Sequence, residues 1–321
     1  MEQTKIKVGI LPNQFLKSDG TFDKSEALKL SGKIAGVCYD EEGFAHLEAE
    51  PEEKTMRRIE RTLNNGHHSV YDHISISFNL QNVPKILAMV LNNEHQYTTS
   101  EKSARYTPVV RGDDSIITYE EEKLYNKWLE IFKIKIKSQY GNVLKDARIQ
   151  KLAQENARYL VTVFMPTQMI YSTSLRQINY IASWMQQYIE SMEIAPSFDK
   201  KLKKSMQELL GELSDLNVLE DRLMKNDKYR SLSLFGKNLD QKVDYFGDVY
   251  SCTYEGSFSS LAQAQRHRSL DYQMEMLEEK EYYIPPILMD DPILVEEWLK
   301  DMEVVKNVYP QGEMIRISES G

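Results

Sequence analysis

Two short segments concentrate the residue types that handle anions. Ser100-Glu101-Lys102-Ser103-Ala104-Arg105-Tyr106 sets a carboxylate, a hydroxyl and a guanidinium at every second position, and Gln263-Ala264-Gln265-Arg266-His267-Arg268-Ser269 puts two guanidinium groups around a histidine. Arginine suits a phosphate because its planar fork makes paired, charge-assisted hydrogen bonds. Ser103 reads as an orienting group rather than an attacking one, since its own segment offers no histidine as a base. Each element also has a plainer reading. Glu101 and Arg105 at spacing four can form a surface ion pair, and the Arg266–Arg268 triplet can be a solvated basic turn of a helix. His67, His68, Asp72 and His73 around one turn could converge on a metal ion, which would suit a metal-dependent phosphohydrolase. No further His or Cys cluster completes such a shell, so no metal is expected.

The elements that must position these residues show in the apolar pattern. Residues 5–11 alternate and predict an opening strand, and Ile74, Ile76 and Phe78 alternate with Ser75, Ser77 and Asn79 as a half-buried strand does. Met56, Ile59 and Leu63 mark one face of a helix from Glu52 to Asn65 that stops at Gly66. Pro84 is placed in the first turn of a helix reaching about Asn93. Leu124, Trp128, Ile131 and Ile134 predict a long amphipathic helix, with others near 148–161, 175–192 and 200–224. A second cycle follows: a strand over Tyr250–Glu255, a helix from Ser259 to about Glu279, and a helix over Asp291–Val305 with Trp298 and Leu299 inward.

Phe164–Ser172 resembles Val308–Arg316, which suggests an internal repeat. The second copy then ends at Gly321, roughly where the first reaches Arg176, and is expected to be shorter and incomplete. The expected fold is α+β: two related units, 1–200 and 201–321, each a mixed sheet packed with long helices.

Hydrophobic residues make up 41% and charged residues 28%, as in an ordinary globular chain. The net charge of −9 argues against a nucleic-acid surface, which needs clustered Lys and Arg. No apolar run approaches the roughly 20 residues of a membrane helix, and Met1–Lys5 lacks the apolar core of a secretion signal. Cys38 and Cys252 give no disulfide framework. A cytoplasmic protein that binds neither membrane nor nucleic acid is expected.

The two anion-handling segments together resemble the signature of the flavin-dependent thymidylate synthases, in which Arg-His-Arg runs on into Glu-x-Ser-x-Arg-Tyr. Here the signature is split between Glu101–Tyr106 and Arg266–Arg268. Ala35-Gly36-Val37-Cys38-Tyr39 is similar to an early family segment, and Gly66–His73 to the family's Gly-His-x-Ser-x-x-Glu-His, with Asp72 in place of Glu. Arg158 and Arg176 match two further family arginines. Where the first copy should carry Arg-His-Arg it has Asn93-Glu94-His95, and the second copy lacks Glu-x-Ser-x-Arg. Each copy lacks what the other keeps.

The resemblance implies conversion of deoxyuridine monophosphate (dUMP) to thymidylate, with FAD as cofactor and NADPH and methylenetetrahydrofolate as co-substrates. It gives the catalytic positions to Arg105, Glu101 and Ser103. It assigns dUMP binding to Gln263, Glu101, Ser103, Arg105 and Arg158, and FAD contacts to His73, Arg266, His267, Arg268 and Arg176. Family sites form between subunits of a tetramer, so a homodimer of two-unit chains resembling that tetramer is implied. The losses also admit an inactive nucleotide- or flavin-binding relative, and a related enzyme making another 5-modified dUMP.

Overall fold

The computed structural model describes residues 5–103, 109, 116–191, 196–225, 231–236 and 250–321, the side chains of residues 196 and 267 excepted. Among the described residues, seven strands form two antiparallel sheets. The first runs β1-β2-β4-β3, with β1 Lys7–Ile10, β2 Ser75–Pro84, β3 Thr98–Glu101 and β4 Pro166–Ser174. The second runs β5-β7-β6, with β5 Ser251–Ser257, β6 Asp271–Met276 and β7 Met314–Ser320. Eleven α-helices are described in chain order: α1 Lys24–Gly36, α2 Phe44–Glu48, α3 Glu52–Asn64, α4 Lys85–Leu91, α5 Tyr119–Tyr140, α6 Asp146–Ala157, α7 Leu175–Glu190, α8 Pro196–Asp215, α9 Asp221–Met224, α10 Phe258–Ala264 and α11 Pro292–Val304. The protein is α+β, and none of the described helices is long and apolar enough to cross a membrane.

The alternation of Ile76, Phe78 and Leu80 turns one face of β2 into the core, where all three are buried. β2 pairs with β4 along its whole length, from Ser75 opposite Ser174 to Pro84 opposite Pro166. A bulge between Gln81 and Val83 puts Asn82 at φ 58°, a left-handed conformation that asparagine tolerates. Pro84 therefore ends the strand and caps α4 from outside rather than entering its first turn. On α3, Ile59 and Leu63 are buried while Met56 faces solvent, and Ile134 on α5 is likewise exposed.

The two sheets repeat one plan. Leaving β1 aside, in each a strand runs into a short helix, a second strand follows, and a last strand returns between the two. The strand-to-helix junctions are tied alike: Lys85 N and Ile86 N donate to Met165 O and Val163 O (2.9 and 3.0 Å), and Phe258 N and Ser259 N donate to Glu313 O and Gln311 O (3.2 and 3.0 Å). Lys85 thus corresponds to Phe258, and Asn93-Glu94-His95 to Arg266-His267-Arg268. Pro166 and Met314 open the returning strands at equivalent places, opposite Pro84 and Ser257. The repeat register read from Pro166 and Pro310 is four residues out, because Pro310 pairs with Thr162 where the two sequences cross. The helix expected over Ser259–Glu279 ends at Ala264, and Asp271–Met276 is strand β6. Tyr272 and Met274 alternate into the core as the edge strand of the second sheet requires.

The crossing holds the halves together. Val163 N donates to Tyr309 O, Gln311 N to Val161 O and Gly312 N to Tyr159 O, each at 2.8 Å. One core spans both sheets and includes α4, α7 and α8, and a second lies among α5, α6 and α11, centred on the edge-to-face pair Trp128–Trp298 at 4.9 Å. Residue 200 falls inside α8, whose Glu212 accepts from Val8 N of the first sheet (3.0 Å).

Candidate functional site

A cavity opens where α4, the end of β3, the start of β4 and α10 converge. The first half contributes Lys85, Glu101, Lys102 and Arg158, the second Ser259, Gln263, Arg266 and Gln311, and Met165, Pro166 and Ala262 are apolar patches in the wall. Arg158 sits in the 3₁₀ turn that ends α6, immediately before the crossing, so its buried guanidinium is carried to the second half, where Nη2 donates to Ser259 Oγ at 3.1 Å. Ser259 and Gln263 are one turn apart on α10, which Ser257 caps by accepting from Ser260 N at 3.2 Å.

Glu101, the last residue of β3, accepts from Lys85 Nζ through both carboxylate oxygens, at 2.7 and 2.8 Å. Burial pushes the Lys85 ammonium below its ordinary pKa; the Glu101 carboxylate opposes that shift, and nearby Arg266 and Arg158 add to it. Sequence reasoning missed Lys85. The available signal was a lone cation at the head of Ile86–Leu91, a run that is buried throughout.

A second compartment adjoins the first through Glu101 and Arg266, and adds Asn92, Tyr97, Thr99, Gln265 and Arg268. Arg268 Nη1 donates to Tyr97 O at 3.0 Å, and its guanidinium lies 5.8 Å from the centre of the Tyr97 ring. Tyr97 stacks on Tyr171 at 5.4 Å, and burial pushes its hydroxyl up to about 12. Gln265 spends its amide N–H groups on Met89 O and Asn93 Oδ1 (3.2 and 3.1 Å), which leaves its buried Oε1 without a protein partner; Asn92 Oδ1, at the corresponding place in the other half, is also unpartnered. Buried acceptors in this state call for a donor from a ligand or a water. Two such acceptors beside guanidinium groups and an aromatic ring suit a heteroaromatic ligand that carries N–H donors and a phosphate.

Of the residues named from sequence, Glu101, Arg158, Gln263 and Arg266 share the first cavity and Arg268 lines the second. Ser103 follows Glu101 by two residues and is half-buried. Arg105 and the His267 side chain lie outside what is described. His73 and Arg176 stand at the other end of the first sheet, about 27 Å along β4 at about 3.4 Å per residue. There Asp72 holds Arg176 through Nε at 3.0 Å and Nη2 at 2.5 Å, and accepts from Ser174 Oγ at 2.6 Å. His68 has both ring nitrogens engaged, with the Tyr180 hydroxyl at 3.0 Å and Leu63 O at 3.1 Å, and Asp72 is taken by Arg176.

At the places that the junction hydrogen bonds match in the other half, the described side chains are packed together. Glu94 is fully buried and its Oε1 accepts from Ser233 N (2.6 Å) and Ser233 Oγ (2.9 Å), while Asn93 Nδ2 donates to Ser233 Oγ and Tyr272 O. Phe258, at the place of Lys85, stacks on Phe198, which also packs against Phe164 and Tyr309.

The sequence matches the family model Thy1, thymidylate synthase complementing protein, over residues 22–204, more than half of the chain. The chain belongs to this family. Among curated protein sequences none matches. Solved structures similar to it include the following two. The UMP/dUMP methylase PolB from Streptomyces cacaoi, bound with 5-Br dUMP, is 16% identical with a TM-score of 0.35, over 56% of this chain and 78% of that one. Thymidylate Synthase X (ThyX) from Helicobacter pylori, with FAD and dUMP, is 16% identical with a TM-score of 0.38, over 68% of this chain and 99% of that one. The Thy1 match takes in Glu101, Arg158 and Lys85 but ends before Gln263 and Arg266, so the second half of the cavity lies beyond the matched segment.

Proposed function

We propose that the chain is a flavin-dependent methyltransferase that converts dUMP to thymidylate with methylenetetrahydrofolate and NADPH, from a site shared by two related units, 1–200 and 201–321. One observation carries this reading: a single cavity gathers Glu101 and Arg158 from one unit and Gln263 and Arg266 from the other. The repeated strand order and the matched junction hydrogen bonds support the two-unit description.

In this reading the guanidinium groups of Arg158 and Arg266, with Arg105, hold the nucleotide phosphate. The Gln263 amide offers both a donor and an acceptor to the uracil edge, and Glu101 with Ser103 orients the sugar and base. Met165, Pro166 and Ala262 exclude water beside them. Arg266 and Arg268, with Tyr97 and the unpartnered oxygens of Asn92 and Gln265, would hold FAD, together with His267. When bound, FAD supplies hydride transfer with electrons from NADPH. His73 and Arg176 stand too far away to serve the cavity of their own chain, so a second chain brings them, as a dimer of two-unit chains would.

The test is a mass-spectrometric assay of purified protein with dUMP, methylenetetrahydrofolate, NADPH and FAD, together with the visible spectrum of the protein as isolated. Thymidylate formation is expected. Bound flavin with a different 5-modified nucleotide would move the reading to another product, and neither flavin nor product would leave an inactive relative.

A further inference from the structure

We propose that Lys85 is a specificity-determining residue of the cavity, whose ammonium makes the site select a doubly charged phosphomonoester over the uncharged nucleoside. The proposal rests on the nucleotide reading given above and adds to it a residue that neither the motif pattern nor the family resemblance singles out.

The first support is the charge of the wall. Lys85, Lys102, Arg158 and Arg266 face one carboxylate, Glu101, among the described lining residues, a formal excess of three positive charges. Like charges gathered around a partly dry cavity repel one another, and an anion relieves that repulsion. Lys85 also neutralises Glu101 through both oxygens, so the carboxylate of this wall does not repel an incoming phosphate.

The second support is that the fold does not need a cation at this place. The corresponding junction in the other half has the same pair of backbone hydrogen bonds, and its residue is Phe258, packed on Phe198. A phenylalanine therefore serves the same local backbone where the described side chains are packed together, and the lysine stands where the cavity opens. A partly buried Lys–Glu pair is moreover a modest source of stability, because desolvation of the charges offsets much of their attraction. The position of Lys85 is explained by what enters the cavity rather than by what holds the junction.

The experiment is calorimetric titration of the full-length protein with dUMP and, separately, with deoxyuridine, for the wild type, Lys85→Gln and Lys85→Arg. Loss of one charge-assisted contact predicts a roughly 10- to 100-fold weaker dUMP affinity in Lys85→Gln. Deoxyuridine should change by less than about threefold, and Lys85→Arg should hold dUMP to within about fivefold. Equal weakening of both ligands, or no weakening of dUMP, would overturn the role given to Lys85. If Lys85→Gln does not fold, Lys85→Arg decides, since it keeps the charge: a loss of dUMP affinity above about 20-fold in a folded chain would count against the proposal. A wild-type protein that binds no dUMP would bring down the nucleotide reading itself, and Lys85's role with it.

Discussion

Gly312 lies in tight contact at the crossing of the two halves, and Gly312→Ala tests whether that contact aligns the cavity. A Cβ built there would lie 3.0 Å from Tyr159 Cβ, 3.1 Å from Tyr159 O and 3.0 Å from Met302 Cε. Carbon atoms prefer about 3.5–4.0 Å, so the neighbours must give way by a few tenths of an ångström. The methionine tip can move. The Tyr159 carbonyl cannot do so without stretching its 2.8 Å hydrogen bond from Gly312 N. Overpacking of this kind costs about 1–3 kcal/mol, and a weakened backbone hydrogen bond about 0.5–1.5 kcal/mol. Replacing glycine returns about 0.4–1 kcal/mol by restricting the unfolded chain, since Gly312 is not left-handed. The net expectation is a loss of about 2 kcal/mol in urea unfolding. Because Gln311 and Arg158 flank the same crossing, dUMP affinity should fall about three- to tenfold. A variant as stable and as tight-binding as the wild type would refute the idea that this contact sets the cavity.

Further expectations follow from the two compartments and the two cores. Arg105→Ala should weaken dUMP in calorimetry and leave flavin absorbance intact, whereas Arg268→Ala should mainly lose flavin; equal loss of both ligands in both folded variants would count against this division. Trp298→Ala removes a fully buried ring packed against Trp128 and Phe132 and orphans the Tyr283 carbonyl that its indole N–H serves, so a loss of about 4–6 kcal/mol is expected in urea unfolding. The hydrogen-bonded Arg58 guanidinium holds the Glu50 carboxyl down from 4.5 to about 2. A depressed carboxylate stabilises the folded state above the unfolded pKa and loses that contribution as pH falls through the folded one. Glu50→Gln should therefore be less stable at pH 7 and show a shallower loss between about pH 5 and 2 in thermal melts.

Much of the fold could be read where the pattern was local. The alternation through Ile76 and Phe78 gave β2, and the apolar spacing of Ile59 and Leu63 gave the buried face of α3. What failed depended on partners distant in sequence. Leu270–Met276 is rich in residues that suit helices, and it becomes a strand because β7 offers it an edge; the alternation of Tyr272 and Met274 was the signal for that outcome. Met56 and Ile134 fit a helical stripe, yet both stand exposed among the described residues. In the site, residue types and order pointed to Glu101, Arg158, Gln263 and Arg266, which share one cavity. Nothing in a linear motif says which end of a strand a residue occupies, so the separation of His73 and Arg176 from that cavity was not readable. Lys85 was hidden because a single lysine before an apolar run looks like any solvated helix start.

The packing at the matched places in the other half has a bearing on how the protein would respond to ligand concentration. On the two-unit reading, Ser233 against Glu94 and Phe198 against Phe258 occupy the ground where a second ligand would sit. One chain then offers one described cavity for the nucleotide. Titration of an isolated chain would follow a simple hyperbola with one nucleotide per polypeptide. On that reading, any sigmoidal behaviour would have to arise between chains rather than within one.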